Sequence, residues 1–233
     1  MASDGIVIGP KLAAVTTGAL QPGDEPVASA STDPDVIHIR IYLDYQCELC
    51  QKFESANAKQ IAAWAKSGAA TVEIHPLAIF DRNSVGAKYS TRSANAAACV
   101  ANFSPDKFFR FNSLLFDNQP AQQTEGLSDA KLVSLTKRAQ VKHSASIASC
   151  IDEQTFKTWV NAATARAATG PIPGSKVGKV TQTPTVLVNG VKYSGAFDKA
   201  NEFALFVNTA AGNAFVEEST ASPTPSPSVT PAP

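Results

Sequence analysis

The chain has 233 residues, 44% of them hydrophobic and 17% charged, which suits one globular domain with room for an inserted subdomain. Its formal net charge is zero and no long run of like charges occurs, which argues against a nucleic-acid partner or an acidic membrane surface. No stretch of about 18 apolar residues is present, so we expect no membrane span in this chain.

The N-terminal part of the chain predicts an extension followed by a central strand. In the extension, residues 1–35, the segments Ile6–Gly9 and Leu12–Val15 are candidates for short strands or an extended arm. The apolar run Val36–Asp44 predicts a strand, and because both of its faces carry apolar residues we place it in the middle of a sheet.

Two cysteines separated by two residues, Cys47 and Cys50, stand between this strand and a predicted helix over Gln51–Lys66. At a strand-to-helix junction this spacing indicates a redox motif. The unpaired amides and the dipole of the helix N-terminus stabilise Cys47 as a thiolate, and Cys50, one turn on, can attack a mixed disulfide formed there. The alternatives are an inert disulfide and a zinc site. Zinc requires a second pair of ligands at short spacing, which the sequence lacks, so no metal is expected.

A second strand over Ala70–His75 precedes a long helical block, residues 84–169. The block is too long for a simple crossover and is interpreted as a helical subdomain inserted into an α/β domain. Its predicted helices cover Ser84–Asn102, a segment opened by Ser104, a segment introduced by Gly126, a short His143–Ile151 and a longer Asp152–Thr169.

The C-terminal part returns to the strand pattern. Thr183–Val188 predicts a strand, and Asn189-Gly190 predicts a type I′ hairpin turn into a partner strand over Val191–Ser194. A closing helix is predicted over Asp198–Ala210. The α/β domain thus comprises residues 36–83 and 170–212. Residues 213–233 are rich in Pro, Ser and Thr and are predicted to be a disordered tail, with a spacer or a glycosylated segment as functional alternatives.

This order of elements resembles the DsbA-like branch of the thioredoxin superfamily, over most of residues 36–210. The resemblance implies a thioredoxin-like fold with an inserted helical subdomain, and a cis Pro184 that faces the two cysteines. It also implies that Thr183 offers its backbone to an extended substrate by strand pairing. The segments that carry it are Tyr42–Cys50, Thr183–Gly190 and, as in secreted or membrane-anchored actinobacterial members, Tyr89–Cys99.

The remaining cysteines, Cys99 and Cys150, lie in the helical block. They are either a second redox pair or a structural disulfide between two helices. The structural disulfide is favoured because neither cysteine sits at an evident helix N-terminus or has a partner two residues away. Some actinobacterial relatives carry a comparable bridge. Such a bridge persists only in an oxidising compartment, so we expect an extracytoplasmic location, although the first residues lack the pattern of a secretory signal.

The sequence also departs from the family pattern between and before the two cysteines. Glu48 and Leu49 stand where oxidants of the family often have Pro-His. An ionised Glu48 cannot donate to the thiolate and its charge opposes it, so we expect the Cys47 pKa to be less depressed than in the strongest oxidants. Glu48 is equally explained by its position at a helix start. Ile41 replaces the buried acid of thioredoxins, and Asp44 is predicted to be a solvated turn residue rather than a substitute proton acceptor.

These features predict an enzyme that oxidises reduced secreted proteins outside the cytoplasm. A substrate thiolate attacks Cys47, predicted to be the exposed sulfur, while Cys50 is the resolving one. No bound cofactor is needed. By resemblance, a membrane quinone-linked oxidase of the VKOR or DsbB type reoxidises the pair, and a monomer is expected. The alternatives are an isomerase or reductase fed by a membrane reductant, and a non-catalytic binding module. None of the histidines is placed to activate Cys47 for hydrolysis.

Overall fold

A computed structural model describes residues 3–18, 26 and 36–220. Its described part contains a sheet of five strands in the order β1-β3-β2-β4-β5. The central strand β2 runs parallel to β3 and antiparallel to β4, while β1 and β5 pair antiparallel at the two edges. The strands are β1 Ile6–Ile8, β2 Ile37–Leu43, β3 Ala70–Pro76, β4 Thr185–Val188 and β5 Val191–Lys192.

Helix α1 connects the two parallel strands, and five further helices separate β3 from β4. This arrangement follows from the chain order, since a parallel pair requires a crossover and the block between β3 and β4 is far longer than one. The helices are α1 Glu48–Ser67, α2 Tyr89–Phe103, α3 Phe108–Asp117, α4 Asp129–Ala139, α5 Ser144–Asp152, α6 Lys157–Thr169 and α7 Ala200–Thr220.

Both faces of the sheet are covered, so β2 is buried as its composition predicted. Ile39 and Ile41 belong to the larger apolar cluster, together with Phe53 of α1 and Phe203 of α7. Tyr42, on the other face, belongs to a smaller cluster that includes residues of α6 and of the segment before β4. Because side chains alternate along the strand, β2 contributes to a core on each face of the sheet. The strand ends at Leu43, four residues before Cys47.

Helix α2 is the centre of the helical block. Its residues 96–101 are almost fully buried, and their small side chains allow neighbouring helices to pack closely around it. Cys99 of α2 and Cys150 of α5 form a disulfide with an S–S distance of 2.03 Å. The larger apolar side chains come from α3, where Phe108, Phe111 and Phe116 are buried.

Most predicted elements are present, with shifted boundaries. Helix α2 begins at Tyr89 instead of Ser84, because residues 84–88 form a loop in which Val85 and Lys88 have positive φ. Of the two N-terminal strand candidates only Ile6–Ile8 forms a strand, and Ala14 makes an isolated bridge. The predicted hairpin turn is confirmed, since Asn189 and Gly190 both have positive φ.

The end of the chain differs more clearly from its prediction. Helix α7 continues to Thr220, so residues 213–220, which were assigned to a disordered tail, are helical. This segment reads Asn-Ala-Phe-Val-Glu-Glu-Ser-Thr and contains no proline, which is why it can extend the helix. Residues 221–233 lie outside the described residues.

Candidate active site

The two closely spaced cysteines lie where β2 delivers the chain to α1. Cys47 is the N-cap residue of α1, with an extended backbone (φ −83°, ψ 116°), and Cys50 lies in the first turn. The backbone N–H of Cys47 donates to the carbonyl of Asp44 at 3.0 Å, which closes the turn between strand and helix. Both residues are unpaired thiols. The predicted junction therefore places Cys47 at the positive end of the helix dipole.

The prediction that Cys47 is the exposed sulfur of the pair is wrong. Cys47 is 3% exposed and Cys50 2%, whereas Leu49 between them is 47% exposed. The physical reason is that the segment before β4 packs against Cys47, whose Sγ donates to the carbonyl of Thr183 at 3.1 Å.

The two cysteines differ in ionisation and not in exposure. The pKa of Cys47 is lowered to about 6, first by the hydrogen bond from the Cys50 thiol and then by contacts with Thr183 and the backbone N–H groups of Cys50 and Leu49, against the opposing effect of burial. Burial raises the pKa of Cys50 well above its ordinary value, and the nearby Cys47 raises it further. Near neutral pH the pair therefore consists of one thiolate, Cys47, and one thiol, Cys50.

Thr183 and Pro184 approach the cysteines from the segment that leads into β4. The peptide bond between them is cis, and Thr183 is buried, with 4% of its surface exposed. Its carbonyl accepts the hydrogen bond from Cys47, so the residue that was expected to present its backbone to a substrate stands directly beside the thiolate. The next residue, Thr185, pairs with Tyr42 of β2, which holds this segment in register with the strand that carries the cysteines.

The prediction that Asp44 is a solvated turn residue is wrong. Asp44 is fully buried, and its carboxylate accepts hydrogen bonds from the backbone N–H of Gln46 (2.9 Å), the backbone N–H of Phe80 (2.9 Å) and the hydroxyl of Ser90 (2.7 Å). These donors come from its own turn, from the loop after β3 and from α2, and they explain how a carboxylate can be buried here. Burial nevertheless raises the pKa of Asp44 to about 7, and the adjacent Cys47 raises it as well.

Glu48 and Leu49, the expected tuning residues, occupy the first turn of α1. Glu48 is the acidic residue of this turn, a favourable position at a helix start. Leu49 contributes through its backbone N–H, which lowers the pKa of Cys47, while its side chain points outward. A pKa of about 6 for Cys47 lies between the values of about 3.5 and about 7 known for a strong oxidant and for thioredoxin.

Two residues of the helical block, Asn112 and Ser113, contact residues that flank the redox motif, and they were not identified from the sequence. The hydroxyl of Tyr45 donates to Asn112 Oδ1 at 2.8 Å, and the Asn112 amide and the Ser113 hydroxyl donate to Glu54 Oε1 at 3.1 and 2.7 Å. Glu54 is buried on α1, and burial raises its pKa. The sequence carries no indication of these contacts, because the partners are far apart along the chain: Asn112 and Ser113 follow Tyr45 by more than sixty positions.

Other groups that could carry chemistry lie away from the thiols or are absent from the described ranges. His75 stacks on Tyr42 with ring centroids 4.3 Å apart and lies 3.3 Å from Glu73, on the opposite face of the sheet from α1. Within residues 3–18, 26 and 36–220, no group of His, Cys, Asp and Glu side chains could hold a metal ion. None of the helices in these ranges is long and apolar enough to cross a membrane.

The fold and this site agree with comparisons to known proteins. A family model described as thioredoxin matches residues 32–205. Among solved structures, oxidised DsbA of Mycobacterium tuberculosis is 25% identical, with a TM-score of 0.67 over 94% of this chain and 100% of that one. Reduced DsbG of the same organism is 24% identical, with a TM-score of 0.66 over 95% of both chains. BdbD of Bacillus subtilis is 18% identical, with a TM-score of 0.65 over 90% of this chain and 94% of that one.

No curated protein matches the sequence significantly. The family match covers well over half of the chain, and the M. tuberculosis DsbA structure spans nearly all of it. These comparisons confirm the predicted thioredoxin-like fold with a helical insertion. The chain therefore belongs to the thioredoxin family, within which it is a DsbA-like protein disulfide oxidoreductase.

Proposed function

We propose that this protein introduces disulfides into reduced secreted proteins outside the cytoplasm, by exchange at the Cys47–Cys50 pair. The observation that carries the proposal is the split ionisation of the pair: the pKa of Cys47 is about 6, while that of Cys50 is raised well above its ordinary value. A thiolate stabilised in the reduced form makes the disulfide a better oxidant, because reduction then releases more free energy.

The proposed reaction consists of two exchanges. A substrate thiolate attacks Sγ of Cys47 in the oxidised pair, the Cys47–Cys50 bond breaks, and Cys50 leaves as a thiolate and takes up a proton. A second substrate thiolate then attacks the substrate sulfur of the mixed disulfide, and Cys47 leaves as a thiolate. The substrate loses two electrons and gains a disulfide, and the enzyme pair gains them. The low pKa of Cys47 favours the second step, since a more acidic thiol is the better leaving group.

Substrate binding is proposed at Thr183 and Pro184. An extended chain could pair with the backbone of Thr183, whose carbonyl lies 3.1 Å from the attacked sulfur, so pairing would place a substrate cysteine beside Cys47. The Sγ–carbonyl hydrogen bond exists only while Cys47 is a protonated thiol, because neither a thiolate nor a disulfide sulfur has a proton to donate. The oxidised form therefore leaves this carbonyl available for a substrate N–H.

The location and the redox partner are also part of the proposal. The Cys99–Cys150 disulfide supports an oxidising compartment, where such bonds persist. A membrane quinone-linked oxidase of the VKOR or DsbB type, by resemblance, would accept the electrons from Cys47 and Cys50. We propose that the protein acts as a monomer and requires no bound cofactor, with Glu48 and Leu49 tuning the potential of the pair.

Oxidative refolding tests this proposal directly. A reduced, unfolded protein with several disulfides is refolded with a stoichiometric amount of the oxidised enzyme, and substrate thiols are counted with time. We expect rapid loss of thiols with the wild type and none above background with Cys47→Ser. A potential near −120 to −180 mV against glutathione would support the oxidase, and one near about −270 mV the reductase. Equal function of Cys47→Ser in the cell would instead indicate a non-catalytic binding module.

A further inference from the structure

A glutamine from the helical block reaches the backbone of the redox motif. Gln119 lies in the loop between α3 and α4, and its Nε2 donates to two carbonyls, that of Cys47 at 3.0 Å and that of Tyr45 at 3.1 Å. A side-chain amide has two N–H groups, one for each of these carbonyls, and both carbonyls belong to the short segment that carries the attacked sulfur. This contact bridges 72 residues of sequence and involves the backbone of Cys47 itself.

The contact is one side of a closed ring of four hydrogen bonds. The backbone N–H of Gln51 donates to the Cys47 carbonyl at 3.2 Å, and the Gln51 side chain donates to the carbonyl of Phe116 at 2.8 Å. The backbone N–H of Gln119 donates to the same Phe116 carbonyl at 3.1 Å, and its side chain returns to Cys47. Two glutamines thus join two carbonyls, one at the start of α1 and one near the end of α3.

We propose that Gln119 is a positioning residue for thiol-disulfide exchange, which fixes the backbone of Cys47 and stabilises its thiolate. Its N–H dipoles place partial positive charge next to the residue that becomes negative. Because they donate to the carbonyl oxygens of Tyr45 and Cys47, they also offset the partial negative charge of these two oxygens. With the Cys47 backbone fixed, Sγ stays close to the N–H groups of the first turn, Cys50 and Leu49, which lower its pKa.

The ring consists of uncharged groups, so it does not titrate and adds no charge to the site. It therefore shifts the Cys47 equilibrium by orientation and by dipoles, in the same direction at every pH. The inference rests on the disulfide exchange proposed above, but not on its direction, since a thiolate at Cys47 is needed for oxidation and for reduction alike.

The test replaces Gln119 by methionine, which has a similar length and no donor. The control is Gln60→Met, because Gln60 also lies at α1 and its Nε2 also makes two hydrogen bonds, to Asn57 Oδ1 at 2.6 Å and to the Ala200 carbonyl at 3.0 Å, away from the thiols. The Cys47 pKa is read from the ultraviolet absorbance of the thiolate, with Cys50→Ser in the background, and the redox equilibrium is measured with glutathione.

We expect Gln119→Met to raise the Cys47 pKa by about 0.5 to 1 and to shift the glutathione equilibrium toward the oxidised enzyme by roughly threefold to tenfold. Gln60→Met should change neither quantity, even if both variants lose stability. Gln119→Glu preserves the shape but adds a negative charge, so it should raise the pKa further, and it carries the test if the methionine variant does not fold.

An unchanged Cys47 pKa in both Gln119 variants would overturn the inference, as would equal shifts in Gln119→Met and Gln60→Met. The pKa measurement needs no substrate. A shifted pKa together with an inactive wild-type enzyme would therefore reject the proposed oxidase while leaving the role of Gln119 intact.

Discussion

The lowered pKa of Cys47 predicts a contribution to the stability of the reduced protein that grows as the pH rises and that disappears when the Cys47 sulfur is removed. A group whose pKa is lower in the folded state contributes stability above its unfolded pKa and loses that contribution as the pH falls through its folded pKa. For Cys47 the folded value is about 6, and the unfolded value is about 8.5. The contribution therefore grows between pH 6 and pH 8.5 and is absent below pH 5.

The magnitude follows from these two values. Proton linkage gives a contribution of about 1.4 kcal/mol at pH 7 and about 2.6 kcal/mol at pH 8 to the free energy of unfolding of the reduced protein. The same amount is added to the free energy released by reduction of the Cys47–Cys50 disulfide, relative to a dithiol with an ordinary pKa, because the disulfide form has no thiol at Cys47 to ionise. Over this pH range the site should therefore become steadily more favourable to reduction than an ordinary dithiol.

Chemical denaturation at several pH values between 5 and 8.5 measures this effect on three forms: the reduced wild type, the oxidised wild type and Cys47→Ser. Asp44 titrates in all three forms, and Cys50 is a thiol in both reduced ones, so their contributions largely cancel in the differences. We expect the free energy of unfolding of the reduced wild type to rise with pH, relative to that of Cys47→Ser, by the amounts above. A difference that stays constant between pH 5.5 and 8 would refute the assignment of Cys47 as the stabilised thiolate.

Three further changes have outcomes that the structure fixes in direction. Asp44→Asn should abolish a loss of stability as the pH rises from about 4 through about 7, because burial raises the Asp44 pKa, and chemical denaturation across this pH range measures the change. Replacing Cys99 and Cys150 together by alanine should lower the free energy of unfolding by about 4 kcal/mol for their separation of 51 residues, while the Cys47 pKa stays where it is. Gly190→Ala should destabilise the hairpin by about 1 kcal/mol or more, since its φ is 76°, and thermal unfolding that matches the wild type would contradict this.

The parts of the fold that could be predicted are those with a local pattern. The apolar alternation of β2, the Asn189-Gly190 turn and the position of Cys47 at a helix start all depend on residues within a few positions of one another, and the structure places them as expected. The start of α2 was missed because the alanine-rich pattern after residue 88 was extended back over residues 84–88, although Gly86 there disfavours a helix; the positive φ of Val85 has no sequence signature.

The surroundings of the thiols could be predicted only in part, because they are assembled from distant segments. Asp44 was assigned to solvent by the general behaviour of aspartate, but the donors that make its burial tolerable include Ser90 and Phe80. The cover over Cys47 has the same origin, with Thr183 more than a hundred residues away and Gln119 in the helical block. Composition and spacing do not specify which polar groups meet in such a place.

The buried carboxyl of Glu54 has a practical consequence for attempts to simplify this enzyme. Both side chains that donate to it, Asn112 and Ser113, belong to α3. A shortened chain that joins β3 directly to β4 would retain the catalytic motif and lose both donors, leaving an acidic group on the newly uncovered flank of α1. In any miniature redox carrier derived from this scaffold, water would replace both donors, so Glu54 could be kept and the raised pKa of its carboxyl should fall back toward its ordinary value.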